Sequence, residues 1–566
     1  MRILFCFVFI PLTFFGQKVL SENLSPKVRL FWDAENKKIQ ATGSYFTSET
    51  FPNTTEKHGK WLFYSYMGEL EEESNFYRNR IHGKQTIYFP SKKVKSSAFF
   101  VFNVPDSTYK EWNKEGKLII SGNYIMGSPE GKWEYFYDDG RKKKIEQVIN
   151  DTIYLMQYWE SDSAQTQTIK DGNGTIQTFY INGNPKEYYT FEKGLKTGPF
   201  SEYTAGRMLS VGGEFLKGKK HGTWVFYSSD GILEKKINYQ KDSLDGEYLV
   251  FFENGDTLTS GFYKNGLKNG QWIWKNDSGK LDMEGSFDNG MQTGTWDYYF
   301  SSGELSYTAN FLKGKKQGIW HYFYKNGADY RLGSYQNDLR QGLWQTWYEN
   351  GTLLMEGNYL NGKEEGEWRN YWDNGVIKNK STFRKGKLNG NWVSYAPDKT
   401  LVLKGKYKND LKVGEWCDYY ANGQLKEINT YKVLKAKNKQ NDILILGMKE
   451  LVSVPHGKHE AYSQIDYQIK AKGKYKNGMK QGTWYDFYPG GVIPTYITQY
   501  KRGKLHGVMK EFGRRGDLHS EIHYKDGLKD GWFVIYNQNG KVAIQKMFSN
   551  GVEVMRKGNS DPFSPY

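Results

Sequence analysis

Nine histidines, two cysteines and 63 carboxylates are the groups in this 566-residue chain that could ligate a metal or move a proton. Their placement argues against both uses. His58, His82, His221, His456 and His506 each precede the glycine of a recurring motif, and other copies fill that slot with Glu, Asp, Asn, Gln, Thr or Val. A slot that tolerates any residue is not a ligand position. His519 and His523 stand four apart on a predicted strand, about 13 Å at strand rise, too far to share an ion. Cys6 and Cys417 are the only thiols. One lies in the apolar N-terminus, so the mature chain can form neither an intramolecular disulfide nor a cysteine-based metal site. No Gly-x-Ser-x-Gly elbow, phosphate-binding Gly-x-x-x-x-Gly-Lys-Ser/Thr or zinc spacing occurs. The expectation is a protein that is not an enzyme and needs neither cofactor nor metal.

What recurs is glycine, aromatic rings and lysine. Gly174, Gly198, Gly222, Gly246, Gly270, Gly294, Gly318, Gly342, Gly366, Gly390 and Gly414 follow one another every 24 residues. Two residues after the glycine comes an aromatic, most often Trp: Trp224, Trp272, Trp296, Trp320, Trp344, Trp368, Trp392 and Trp416. A fixed period in this range signals stacked repeats. With the anchor glycine as position 0, an aromatic-rich segment leads to Asn-Gly, Asp-Gly or Ser-Gly at +8 and +9, as in Asn254-Gly255, Asn350-Gly351 and Asn374-Gly375. Such pairs accept positive φ in tight hairpin turns. A second segment carries Leu or Ile at +11, often Gly at +15, and an aromatic at +17, and a second turn with lysines closes the unit. Two short segments bounded by turns read as two β-strands.

Strand alternation places the ring at +2 on one face with the ring at +6, and the ring at +5 on the other. The glycine at +15 is expected to mark a bulge or a close approach of backbones. The fold expected is all-β: an elongated repeat array of about 19 β-hairpin units forming a long twisted antiparallel meander. The parts are a signal peptide (1–16), a lead-in (17–29), N-terminal repeats (30–140), an insert (141–173), regular repeats (174–431), a second insert (432–456), C-terminal repeats (457–555) and a tail (556–566).

The signature Gly-x-Trp-x-x-Tyr-Tyr/Phe…Asn-Gly…Leu…Gly-x-Tyr/Phe-x-Asn/Lys-Gly-Lys resembles the MORN (membrane occupation and recognition nexus) repeat. It is most similar to the bacterial variant found in YwqK-family antitoxin proteins, and it runs over residues 30–551. The resemblance implies an array of hairpins used for binding, an antitoxin-like role against a protein partner, and no catalytic residues to carry over.

Formal charge is +16. Over the ten units anchored at Gly174 to Gly390 the second turns sum to +10 and the first turns to −5. In a meander the two turn sets lie on opposite edges, so one edge is basic. Lys217, Lys219, Lys220, Lys313, Lys315, Lys316, Arg384, Lys385 and Lys387 are its strongest positions. Such an edge suits an anionic partner. A protein partner is expected, with anionic lipid or envelope polysaccharide as the rival, the latter through exposed ring ladders. No nucleic acid is expected, because no recognition motif accompanies the charge.

Residues 1–16, MRILFCFVFIPLTFFG, set a basic residue before a short apolar run. That is the pattern of a secretory signal, too short to span a bilayer. The chain is therefore expected to be exported, to periplasm, cell surface or medium, with no transmembrane segment.

Overall fold

The computed structural model describes residues 23–435 and 451–558. The signal-peptide reading, the first part of the lead-in, the centre of the second insert and most of the tail fall outside the described residues. Those described form strands and turns without a helix. The chain divides into two compact units, Met1–Asn269 and Gly270–Tyr566.

In the first unit, strands from Val28–Phe31 to Thr257–Lys264 each pair antiparallel with their predecessor and successor. In the second, strands from Leu281–Asp288 to Val552–Gly558 do the same, except that the two-residue strands Lys315–Lys316 and Lys504–Leu505 pair only with the strand before them. Both are meanders of hairpins, as the period requires. Val28–Phe31 pairs only with Ile39–Tyr45, and Val552–Gly558 only with Val542–Ser549, so neither unit closes into a barrel.

The unit anchored at Gly342 shows the plan. Its first arm is Leu339–Trp347, its second Leu353–Leu360. Between them the Gly351 N–H donates to the Tyr348 carbonyl (2.9 Å) and the Tyr348 N–H to the Thr352 carbonyl (2.8 Å). Only Gly351 of the Asn-Gly pair is left-handed, at φ 81°. The first turn is therefore a wider loop closed by a glycine bulge, not the two-residue turn that Asn-Gly suggests. Asn350 works through its side chain: Oδ1 accepts the Thr352 N–H (2.9 Å), and Nδ2 donates to the Asp373 carbonyl of the next unit (3.2 Å). The tight turn with two left-handed residues is the second one, as at Asn361-Gly362 (φ 51° and 78°) and Lys217-Gly218 (51° and 81°).

The first arm stops at +5, which overturns the pairing of +2 with +6. The ring at +6 lies in the first turn and reaches across to the next unit. Tyr180, Tyr324, Tyr348, Trp372, Tyr420 and Tyr488 each donate to the backbone carbonyl that ends the following first arm, at 2.8–3.0 Å.

The core runs along the array as a row of rings. Trp224, Trp272, Trp296, Trp320, Trp344, Trp368 and Trp416 are buried. In the second unit Trp272, Phe287, Trp296, Phe311, Trp320, Tyr335, Trp344, Tyr359, Trp368 and Phe383 alternate edge to face. Their centroids are 4.9–6.2 Å apart and their planes 63–89° apart, the arrangement aromatic quadrupoles favour. Each tryptophan sits flat over the +15 residue of the unit before it. A Cβ on Gly43, Gly122, Gly213, Gly285, Gly333, Gly357, Gly405 or Gly473 would fall 2.1–2.3 Å from that indole. Both halves of the +15 expectation hold, since the register also shifts there.

The stretch read as a first insert continues the meander as Lys142–Ile149, Thr152–Trp159 and the short Gln167–Lys170. Around the second, the arms Leu425–Lys435 and Leu451–Tyr462 are 11 and 12 residues long, against nine at most elsewhere among the described residues, and stay paired out to Lys435–Leu451.

Candidate functional site

Ring ladders free to stack on sugar are not what the repeats present, because the +2 tryptophans are spent on one another. The surface features that repeat are the two turn edges. Of the nine basic positions, Lys217, Lys219, Lys313, Lys315, Arg384, Lys385 and Lys387 are exposed on the second-turn edge. Lys217, Lys313 and Lys385 occupy the left-handed first position of the turn itself, at φ 51°, 50° and 53°.

Lys220 and Lys316 turn inward. Their Nζ atoms lie 4.4 and 4.5 Å from the ring centroids of Trp224 and Trp320. Arg340, Lys412 and Lys480 occupy the same slot over Trp344, Trp416 and Trp484. Lys196, over Tyr189, has its pKa lowered by burial. These cations cover the ring core and are withheld from a partner.

The anchor glycines serve this core. Gly222, Gly270, Gly294, Gly318, Gly342, Gly366 and Gly414 hold φ between 65° and 76°, and Gly390 stands apart at 135°. The left-handed bend inside the first arm sets the +2 indole over its neighbour. Trp392 is the exception in burial, half-buried over Ser381, and its Nε1, like those of Trp133 and Trp368, lacks a partner.

Sequence reasoning missed the apolar half of the second-turn edge. The last residue of one second arm pairs with the first residue of the next first arm. One of the two is aliphatic and its partner is polar in Leu216–Lys219, Asp288–Met291, Leu312–Lys315, Gln336–Leu339, Leu360–Lys363, Lys476–Met479 and Lys525–Leu528. The aliphatic members are each about half exposed. Their signal was present at +18 and +21, but the aliphatic residue switches between the two positions from unit to unit, so neither column looks apolar alone. Arg384–Lys387 carries charge in both places. The edge is thus a strip of aliphatic side chains flanked by lysines, repeating about every 10 Å, the width of two strands.

The face opposite the rings is polar. Tyr299 and Tyr371 donate to Glu284 and Glu356 at 2.7 and 2.9 Å. Arg369 bridges Glu356 at 3.2 Å. Asp297 instead opposes Glu284 directly, and burial, with Glu284 second, raises its pKa.

Among the described residues no group of three or more His, Cys, Asp and Glu is placed to hold a metal ion. Nor is any helix long and apolar enough to cross a membrane.

No curated protein matches the chain. Solved structures with local likeness include TcdB2-TccC3-Cdc42, at 12% identity over 94% of this chain and 31% of that one, TM-score 0.13. TcdB2-TccC3 matches at 12% identity over 93% and 30%, TM-score 0.13. The Photorhabdus luminescens Tc holotoxin pore matches at 12% identity over 93% and 30%, TM-score 0.12. The chain spans about a third of the length of each. Six segments, 220–241, 244–265, 340–361, 364–385, 412–432 and 505–526, match the MORN repeat variant, and the hairpins they make are those described above.

Proposed function

We propose that this protein is a non-enzymatic repeat scaffold that binds a protein partner through its second-turn edge. The observation that carries the reading is the aliphatic strip between lysines. Met291, Leu312, Leu339 and Leu360 are left about half exposed at consecutive hairpin ends, although the fold could close each turn with polar pairs, as it does at Arg384–Lys387. Apolar side chains ringed by one sign of charge suit a partner with an acidic rim around an apolar centre. The long arms Leu425–Lys435 and Leu451–Tyr462 extend this same edge.

The N-terminal pattern supports action outside the cytoplasm. The resemblance to YwqK-family antitoxins adds a secreted toxin as one partner class, and a toxin gene beside this one would support that narrower role. An anionic membrane is the second reading, favoured by the fully cationic Arg384–Lys387 turn.

A photo-crosslinker placed at Leu312 tests the proposal in cells. It should trap one protein that the same group at Glu304, on the first-turn edge, does not, and Lys313→Glu with Lys315→Glu should abolish trapping. Equal trapping from both edges would defeat it. Flotation with phosphatidylglycerol vesicles but not phosphatidylcholine vesicles, lost as salt rises, would favour the membrane reading.

A further inference from the structure

A separate feature lies near the N-terminal end of the first unit, off the repeat pattern. Trp32 follows the short strand Val28–Phe31 and is 47% exposed. Its indole is nonetheless fixed: Nε1 donates to the Tyr64 carbonyl at 3.0 Å. The loop behind it is pinned by Asp33, whose carboxylate accepts the Lys37 and Lys38 N–H groups at 2.8 and 2.7 Å. An exposed tryptophan held from behind by its own backbone neighbourhood keeps one ring face presented to solvent.

That face borders a groove of about 440 Å³ lined by Trp32, Phe63, Tyr64, Ile87 and Tyr88, with Gln40, Glu71, Glu72 and Lys95 around it. The volume is that of a small-ligand site. The lining has two parts with different chemistry. Trp32, Tyr64 and Tyr88 supply ring faces. Gln40, Glu71 and Lys95 bring an amide, a carboxylate and an ammonium that find no hydrogen-bond or ion-pair partner among the described residues. Glu72 is held in place by Ser74 Oγ (2.5 Å) and Gln85 Nε2 (2.9 Å), so its second oxygen is positioned as an acceptor. A second hollow, lined by Lys37, Lys38, Ile39, Tyr64, Tyr66 and Met67, adjoins across Tyr64.

Ring faces alone would suit any apolar ligand, and the charges alone would suit an ion. Together they select a molecule with flat C–H faces and a rim of hydroxyls. Two carboxylates against one ammonium discourage an anion. The length of the two adjoining hollows favours a chain over a single small ring. We infer that this groove binds a neutral oligosaccharide, stacked on Trp32 and Tyr88 and hydrogen-bonded by Gln40, Glu71 and Lys95. This is independent of the second-turn edge, so either site can fail without the other.

The test is calorimetric titration of the full chain with cellohexaose, maltohexaose, mannohexaose and N-acetylchitohexaose, beside a polygalacturonate control. At least one neutral hexamer should bind and the polyanion should not. Trp32→Ala should weaken that binding about tenfold or more, the loss of one stacking partner, with Trp32→Phe intermediate. Thermal melts check that the variants fold. Should Trp32→Ala not fold, Lys95→Ala carries the test and should also weaken binding. Failure of all four hexamers to bind, or unchanged affinity in the folded variants, overturns the assignment.

Discussion

Two glycines per unit do different work, and one serine shows the difference. The anchor needs a left-handed φ, whereas the glycine at +15 needs to have no side chain. Gly366, at φ 76°, has open space where a Cβ would go, while a Cβ on Gly357 would sit 2.1 Å from the Trp368 indole. In the +15 slot Ala309 still leaves Trp320 buried, but Ser381 does not leave Trp392 so. Ser381→Gly should therefore let Trp392 settle inward toward the Thr382 carbonyl, although Trp133 and Trp368, buried over Gly122 and Gly357, make no such bond. Seven other tryptophans, Trp61, Trp224, Trp296, Trp320, Trp344, Trp416 and Trp484, reach the matching carbonyl at 2.8–3.2 Å. The hydrogen bond is worth about 0.5–1.5 kcal/mol, set against about 0.5–1 kcal/mol for glycine's extra backbone freedom. Stability should barely move, so fluorescence is the decisive readout: a blue shift is expected, and an unchanged spectrum would refute the account. Gly357→Val is the converse and should cost about 1–3 kcal/mol through overpacking, measured by urea denaturation.

At the scale of the hairpin, side-chain size at +15 governs the register between units. Where it is Gly, or Ala309, the anchor φ stays at 65–76° and the two arms skip past one another, whereas Ala98 pairs directly with Tyr109 although Ser107 at the anchor keeps φ 66°. Where it is Ser74, Tyr189, Ile237, Ser381, Asn429 or Ile522, it pairs directly with the +2 residue and the anchor φ opens to 85–135°. This rule was written in the sequence but not readable from it, because it links residues on different arms. The period, the two arms and the lysine turns were readable, since each is a local pattern. The turn types were not: Asn-Gly has a low-strain solution in either loop, and the choice falls to arm length and to Asn350 bonding the next unit. For the same reason Lys220 and Lys316 counted as edge charges, although the arm they start turns them onto tryptophan. Trp32 escaped notice because it lies outside the period.

The polar face offers a test of cross-strand pairing at this scale. Glu356 faces Arg369, whereas Glu284 faces Asp297, one of whose oxygens is buried without a partner. Burial and Glu284 together raise the Asp297 pKa above its ordinary 3.8. A carboxyl raised on folding binds its proton more tightly in the folded state, so stability falls as pH rises through that window, and the whole penalty applies at neutral pH. Asp297→Asn should therefore raise the melting temperature at pH 7, with the gain shrinking as pH falls and vanishing below 3.8. A gain that is constant with pH would mean that packing, not charge, is responsible.

Over the molecule as a whole, each hairpin draws its buried contacts from its immediate neighbours, so stability should be a chain of local terms. Cys417 makes this measurable. It is the one cysteine among the described residues, it is buried, and burial pushes its thiol pKa up, so it should resist thiol reagents until its surroundings open. Trp416→Ala removes the indole from the other face of the same arm, and should loosen that hairpin enough to speed labelling of the thiol, at a cost of about 3–5 kcal/mol. Trp344→Ala carries a similar cost three repeats away. It should speed amide exchange across residues 318–392, where Trp344 meets Tyr335 and Tyr359, yet leave Cys417 labelling nearly as slow as in the unaltered chain. A single shared core would behave otherwise, since either substitution would lower the barrier to one cooperative opening and the thiol would react equally fast in both. Equal labelling rates for Trp344→Ala and Trp416→Ala would therefore exclude nearest-neighbour stability, whereas a large difference would show that partners can load one stretch of the edge without unsettling the rest.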